Sequence, residues 1–210
     1  MIKVGLDLGN SKISCVVCDI KLNKHPKILS FVNLPTFNIN KSAILDFIKI
    51  KSDIKEVLEI AAEESQTEIK SINLNVPIIS SESFFYNSIV TLNNEIINDL
   101  HLKKSINQSD FFNEIPNKKI LMNYIINYEV DNILVNNNPS GNYANNLKVN
   151  FYKLLIEKNF INTYENLFSD LKIHIANLIP TPLSSALATL DNDDQDLGAI
   201  CIDLGDTSTS

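Results

Sequence analysis

The sequence predicts an α/β fold in which one sheet-and-helix layer is interrupted by a smaller α+β insertion. Three observations lead there. Alternating apolar strands and helical stretches fill roughly the first 82 residues and return after residue 165, whereas the stretch between them is β-prone with short helices and long polar loops. A loop run, Asn136-Asn137-Asn138-Pro139-Ser140-Gly141-Asn142, punctuates that middle stretch. The same short signal also occurs near both ends: Gly5-Leu6-Asp7-Leu8-Gly9-Asn10-Ser11-Lys12, and Cys201-Ile202-Asp203-Leu204-Gly205-Asp206-Thr207-Ser208-Thr209. Each is an apolar strand that delivers an Asp into a Gly-containing turn lined with hydroxyl or amide side chains.

Taken in order, Ile2-Val4-Leu6-Leu8 alternates as a strand, Gly9-Asn10 turns, and Ile13 to Ile20 resumes as a second strand. Ile28 to Leu34 continues the meander. Asp53 and Glu56 have capping-box spacing and predict a helix start, after which Ile54, Val57, Leu58, Ala61 and Ala62 form one apolar face, with Glu59, Glu63 and Glu64 solvated off it. Ile72-Leu74-Val76 runs into Pro77, which ends a strand or confines it to an edge.

The middle stretch predicts strands over Phe84–Leu92, Ile120–Val130 and Leu147–Ile156, with helices over Glu95–Lys104 and Asn162–Leu171. Residues 1–82 and 166–210 thus form a discontinuous first lobe and residues 83–165 an inserted subdomain. Beyond it, Ile173–Ile179 reads as a strand, Thr181-Pro182 as a cap and first-turn proline for a helix over Leu183–Leu190, Asp191–Asp196 as a surface turn, and Gly198–Leu204 as the last strand.

Composition narrows the function classes. The chain has 210 residues, 44% of them hydrophobic, enough to bury a substantial core. Its net charge of −7 argues against non-specific nucleic-acid binding. No apolar run reaches the roughly 20 residues of a membrane span, and Met1 leads directly into a strand rather than a secretory signal, so a cytoplasmic location is expected. All 18 basic residues are Lys, so no Arg fork is available to clamp a phosphate. Cys15-Val16-Val17-Cys18 matches C-x-x-C, but in a strand residues i and i+3 face opposite ways, which predicts buried, inert thiols rather than a redox or zinc site. The acidic run Asp191–Asp196 resembles a metal cluster in composition only.

The two turns carry the chemistry. An Asp at a strand end holds Mg²⁺, usually through water, and a Gly lets backbone N–H groups face a phosphate. Two such turns suggest two loops gripping one nucleotide, the pattern of the actin, Hsp70 and sugar-kinase class of ATP-binding folds. Within that class, Gly5-Leu6-Asp7-Leu8-Gly9-Asn10-Ser11-Lys12-Ile13 resembles the first phosphate loop of the FtsA cell-division family, G-[LI]-[DE]-[IL]-G-[TS]-x-K-[VI]. Tyr128-Glu129-Val130-Asp131 with Asn138-Pro139-Ser140-Gly141 resembles that family's Y-x-[VI]-D…[ND]-P-x-G segment. Asn177–Leu190, leading to Asp203-Leu204-Gly205, also corresponds.

The resemblance implies an actin-like, RNase H-like lobe with an inserted SHS2-type subdomain, and a second lobe that this chain lacks. It implies ATP and Mg²⁺ as ligands. Asp7 and Asp203 would organise the Mg²⁺ hydration shell. Gly9, Asn10, Ser11 and Lys12 would meet the phosphates from one side, and Gly205, Asp206, Thr207 and Ser208 from the other. The second loop departs from the family's D-x-G-[GA]-G-T: Asp206, Thr207 and Ser208 follow Gly205, so the second Gly is lost and Asp206 adds like charge. The implied function is a scaffold with weak or no ATP hydrolysis. It would link the FtsZ ring to the membrane through the second lobe and a C-terminal amphipathic helix, at the cytoplasmic face of the inner membrane. The inserted subdomain would serve self-association and recruitment of other division proteins. A PilM-like pilus assembly protein, a small-molecule kinase of the same class and a degenerate pseudo-nucleotide scaffold are the alternatives.

Overall fold

Strands β1 (Ile2–Leu8) and β2 (Lys12–Asp19) pair antiparallel from Ile2↔Asp19 to Leu8↔Ile13, and the Gly9–Ser11 turn joins them. The chain is described from a computed structural model covering residues 1–22, 24–40, 43–79, 81–109, 115–206 and 209–210. Strand β3 (Lys27–Pro35) extends the meander, and a short pair, β4 (Ile39–Asn40) with β5 (Ala43–Ile44), leads into helix α1 (Phe47–Ser65). Strand β6 (Ser71–Val76) then lies parallel to β1.

Helix α1 begins about two turns before the spacing of Asp53 and Glu56 predicts. Its N-cap is Asp46, whose carboxylate accepts from the amides of Ile48 and Lys49, both at 3.0 Å. Asp53 sits inside the helix and has another use: it accepts from the Thr36 hydroxyl at 2.8 Å and the Asn38 amide at 2.7 Å. The helix ends with Gln66 in the left-handed region, where the amides of Gln66 and Thr67 close back on Glu63 and Ala62. Its buried face, Ile50, Ile54, Val57, Leu58 and Ala61, packs over β2 and β3, where Ile13, Cys15, Val17 and Val32 are buried.

The chain divides into two compact units, Met1–Ile79 with Asn162–Ser210, and Ser80–Ile161. The first is built on a five-stranded sheet ordered β11-β6-β1-β2-β3, where β11 (His174–Pro180) runs parallel to β6. β6 is therefore interior, and Pro77 ends it rather than marking an edge. The second unit is a four-stranded antiparallel sheet ordered β7-β10-β8-β9, formed by β7 (Ser81–Ile96), β8 (Lys118–Val130), β9 (Ile133–Val135) and β10 (Tyr143–Glu157). Helix α2 (Asp99–Ser109) covers one face, over Val90, Leu92, Ile97, Leu147, Val149 and Phe151.

The helix predicted over Glu95–Lys104 is displaced toward the C-terminus. Strand β7 continues to Ile96, and Asn98 caps the helix by accepting from Leu100 and His101. Asp131 and Asn132, both at positive φ, make the tight β8–β9 turn, and the Asp131 carboxylate accepts from the amides of Asn145 and Asn146. The Asn136–Asn142 run is a loop, and across its end the Ile97 amide donates to the Asn142 carbonyl while the Ile97 carbonyl accepts from the Gly141 amide.

Helix α3 (Lys158–Asp170) leads to β11, followed by α4 (Thr181–Thr189) and α5 (Asn192–Leu197). Thr181 is not the cap of α4: Pro180 holds that position, with no side-chain cap bond, and Thr181 is already helical. The acidic run expected to be a turn forms the short helix α5 instead, because Asp191 and Asp194 complete a reciprocal capping box. Gly198–Leu204 is not a strand. Ile200, Ile202 and Leu204 are 90%, 68% and 78% exposed, and among the described residues no neighbouring strand pairs with this run. Only its end is paired, where Asp203 and Ser210 exchange backbone bonds at 2.8 and 2.9 Å. No helix among the described residues is long and apolar enough to cross a membrane.

Two outcomes check this packing. Asp46→Ala should lower unfolding stability in urea by about 1 kcal/mol, the usual worth of an N-cap. Glu56→Ala, at an exposed position of α1, should change it by less than about 0.5 kcal/mol. Burial pushes the Cys15 thiol up to about 12. Only Cys15 is buried as expected; Cys18 and Cys201 are half-buried, so at pH 8 a maleimide should label those two while Cys15 reacts only on unfolding, as read by mass spectrometry.

Candidate functional site

The period-2 geometry of β1 decides where its carboxylate points. Leu6 and Leu8 are buried toward α1, so Asp7 faces the other side of the sheet, at the strand end and opposite Ser14. Gly9 follows with negative φ, so the need for glycine here is steric. A Cβ at Gly9 would lie 2.9 Å from the Lys12 carbonyl oxygen, and the Gly9 amide donates to that same oxygen at 3.0 Å. The Gly9 N–H is thus used inside the turn, while Lys12 opens β2 with an exposed side chain. The turn is also tied sideways, since the Ser11 carbonyl accepts from the Thr36 amide at 3.0 Å and the Thr36 hydroxyl is held by Asp53.

The second Asp-bearing turn comes to the same place. An open cleft of about 270 Å³ is lined by Asp7, Gly9, Asn10, Ser11 and Lys12 from the first turn and by Asp203, Gly205 and Asp206 from the second. Thr207 and Ser208 lie outside the described residues. The sequence motifs did not point to the remaining walls, Pro77–Ile79 after β6 and Thr181-Pro182 at the start of α4. The Thr-Pro pair was legible as a helix start, but its position beside the cleft follows from β11 lying parallel to β6.

The electrostatics show what the cleft lacks. Burial pushes the Asp7 carboxyl above the ordinary carboxylate value; the hydrogen bond from Asn75 opposes this, the negative charge of Asp203 adds to it, and Lys12 opposes it. Asp7 is therefore not the freely exposed strand-end carboxylate that its turn motif suggests. With Asp206 on the same wall, three carboxylates face one ammonium. Such a cleft repels a bare polyphosphate and is suited to a divalent cation, whose charge would satisfy both Asp7 and the phosphates. Oxygen donors at the ends of two loops are the right chemistry for hydrated Mg²⁺. Among the described residues there is no cluster of three or more His, Cys, Asp or Glu side chains of the kind that cages a metal directly. The residues fit a water-mediated Mg²⁺–phosphate group, which would supply the positive charge that the cleft itself lacks.

No family model matches the chain. Curated relatives do, over nearly all of its length. The FtsA cell division protein of Helicobacter pylori strain J99 is 23% identical across 97% of this chain and 46% of its own length. The FtsA of Enterococcus hirae is 22% identical over 99% of the chain and 47% of its own length, and that of Pseudomonas aeruginosa 18% over 98% and 49%. The chain therefore spans about half the length of the relatives it matches. Among solved structures, a PilM–PilN type IV pilus biogenesis complex superposes with a TM-score of 0.56 at 11% identity, covering 88% of this chain and 49% of that one. This likeness concerns the fold alone. With its five-stranded sheet ordered β11-β6-β1-β2-β3, the chain has an actin-like fold and is similar, over nearly all of its own length, to about half of the FtsA cell division proteins.

Proposed function

We propose that this chain is the nucleotide-holding part of an actin-like cell-division scaffold, with Mg-ATP seated on its two Asp-bearing turns. The observation that carries the reading is the convergence of those turns, far apart in sequence, on one cleft in a chain similar throughout to FtsA proteins. In this reading Asp7 and Asp203 orient the water shell of Mg²⁺. Ser11, Asn10 and Lys12 meet the phosphates on one side, and Gly205 and Asp206 face them, through the cation, on the other. The ATP is held rather than rapidly hydrolysed, so it serves as a conformational ligand more than a substrate. Linkage of the FtsZ ring to the membrane is proposed for the whole scaffold, and this chain spans about half the length of the relatives it matches. The four-stranded sheet of the second unit is proposed as the surface for self-association and for other division proteins.

The walls of the cleft come from turns and strand ends, so in this reading the chain grips phosphates more than it buries a base. Calorimetric titration of this chain should give a Kd for Mg-ATP no tighter than roughly 100 μM, equivalent to about −5.5 kcal/mol. The excess of carboxylates requires binding to disappear when EDTA removes the cation. Equal affinity with and without Mg²⁺ would overturn the reading.

Asp7→Asn should have opposite effects on binding and stability. It should weaken Mg-ATP binding by at least tenfold, because the loop loses its cation-facing charge. It should also raise the melting temperature of the ligand-free protein at pH 7. The sign follows from linkage. A carboxyl whose folded-state value is raised holds its proton longer in the folded state, so its contribution is most favourable below the unfolded value of about 3.8 and is lost as pH rises through the folded value. The thermal advantage of Asp7→Asn should therefore shrink toward zero as the pH is brought below about 4. A hairpin Asp with no ligand role would leave nucleotide binding unchanged.

A further inference from the structure

Helix α4 carries two consecutive serines, Ser184 and Ser185, on the side of the sheet where Asp7 emerges. The Ser185 hydroxyl donates to the Asp203 carboxylate at 2.7 Å. Adjacent helical positions diverge by about 100°, so Ser184 points elsewhere. Its hydroxyl lies 2.9 Å from the side-chain oxygen of Asn75 on β6, slightly nearer than the Thr181 carbonyl at 3.0 Å. The Asn75 amide nitrogen in turn donates to Asp7 at 3.3 Å. The orientation of that amide is set from both ends. Turning it over would place its oxygen against the Asp7 carboxylate and its NH₂ against the serine. All of these groups are half-buried, where an unmatched polar atom costs more than at the surface.

We propose that α4 is a brace for the carboxylate pair: Ser185 holds Asp203 directly, Ser184 holds Asp7 through Asn75, and the helix thereby sets the spacing at which the two loops meet one cation. Asn75, Ser184 and Ser185 are positioning residues and touch neither nucleotide nor metal. This rests on the reading of Asp7 and Asp203 as the cation-facing pair. The brace does not depend on the cation being present, because the hydrogen bonds form within the protein alone. Its consequence is coupling: a displacement of α4 shifts both carboxylates together, so whatever moves that helix changes affinity for the cation. Outer-shell partners of this kind typically contribute 10- to 100-fold to metal affinity.

The test uses the intact chain with Asn75→Ala, Ser184→Ala, Ser185→Ala and their pairwise combinations, each first shown to melt cooperatively. In the metal-free protein, amide NMR shifts should separate two arms. Ser185→Ala should perturb residues around 203–206 and leave 7–12 in place, whereas Ser184→Ala and Asn75→Ala should do the reverse. With ATP held constant, each single variant should raise the Mg²⁺ concentration for half-saturation about tenfold, while ATP affinity at saturating Mg²⁺ returns toward the wild-type value. Ser184→Ala with Asn75→Ala should be markedly non-additive, as members of one relay, and Ser184→Ala with Ser185→Ala close to additive. Ser185→Thr, which keeps the hydroxyl, should restore the wild-type behaviour.

Loss of ATP affinity that extra Mg²⁺ does not recover, or shift changes that ignore the two-arm division, would overturn the brace. Should Asn75→Ala fail to melt cooperatively, the two serine variants decide the outcome, since each removes only one hydroxyl. If Asp7→Asn leaves cation-dependent binding intact, the parent reading fails by itself, and the metal-free NMR arms still decide whether the brace exists.

Discussion

Much of the first unit depends on the pairing register between β1 and β2. With Leu6 opposite Cys15 and Leu8 opposite Ile13, the inward residues of both strands face α1 together, and the period of two leaves Asp7 and Ser14 on the opposite side. A slip of one residue would bury Asp7 and expose Leu6 and Leu8. The register is held at the turn by the Gly9–Lys12 bond, where only a residue without a side chain fits against the Lys12 carbonyl. The core and the site are thus two faces of one constraint. Hydrophobic burial on one side of the sheet aims the carboxylate on the other.

That arrangement has an electrostatic cost. Asp7 is half-buried, its carboxyl is raised by desolvation, and Asp203 adds like charge. A stability-driven sequence would place an amide or an apolar residue at the end of β1. Charge retained where it opposes folding is a common mark of a site, because the ligand's charge offsets what the protein alone leaves unsatisfied. The surrounding hydrogen bonds fit this view. Asn75 donates to Asp7, which favours its ionised form without neutralising it, and Ser185 donates to Asp203.

Much of this was legible in the sequence, and the misses have physical causes. β1, β2, β3, β6 and β11 follow directly from alternation, and both Asp-bearing turns stand out because Gly and Asp interrupt apolar runs. The start of α1 was misplaced because Asp53 and Glu56 satisfy the capping-box spacing, yet Asp46 satisfies the same chemistry earlier. Local spacing cannot choose between two acceptable caps. That choice depends on Asp53 being needed by Thr36 and Asn38, which come from the preceding segment. Gly198–Leu204 shows the converse. Its alternation is strand-like, but a strand requires a partner, and pairing is not a property of the segment. Asn75, Ser184 and Ser185 belong to no motif and matter only through register and helix phase.

Asp53 links the core to the first turn. Its carboxylate holds the Thr36 hydroxyl, and the Thr36 amide holds the Ser11 carbonyl, so the first turn is tied through β3 to the middle of α1. On the opposite side, α4 reaches the same turn's Asp7 through Asn75. The turn is therefore suspended between two helices, one on each face of the sheet, by short polar side chains rather than by packing. Polar ties of this kind fix direction more sharply than apolar contacts do, because a hydrogen bond fails with a modest change of angle whereas a methyl contact slides. A loop meant only to reverse the chain needs no such suspension. A loop that must present a carboxylate and backbone donors to a charged ligand at fixed spacing does need it, and β6, lying between β1 and β11, provides the position from which Asn75 can supply it.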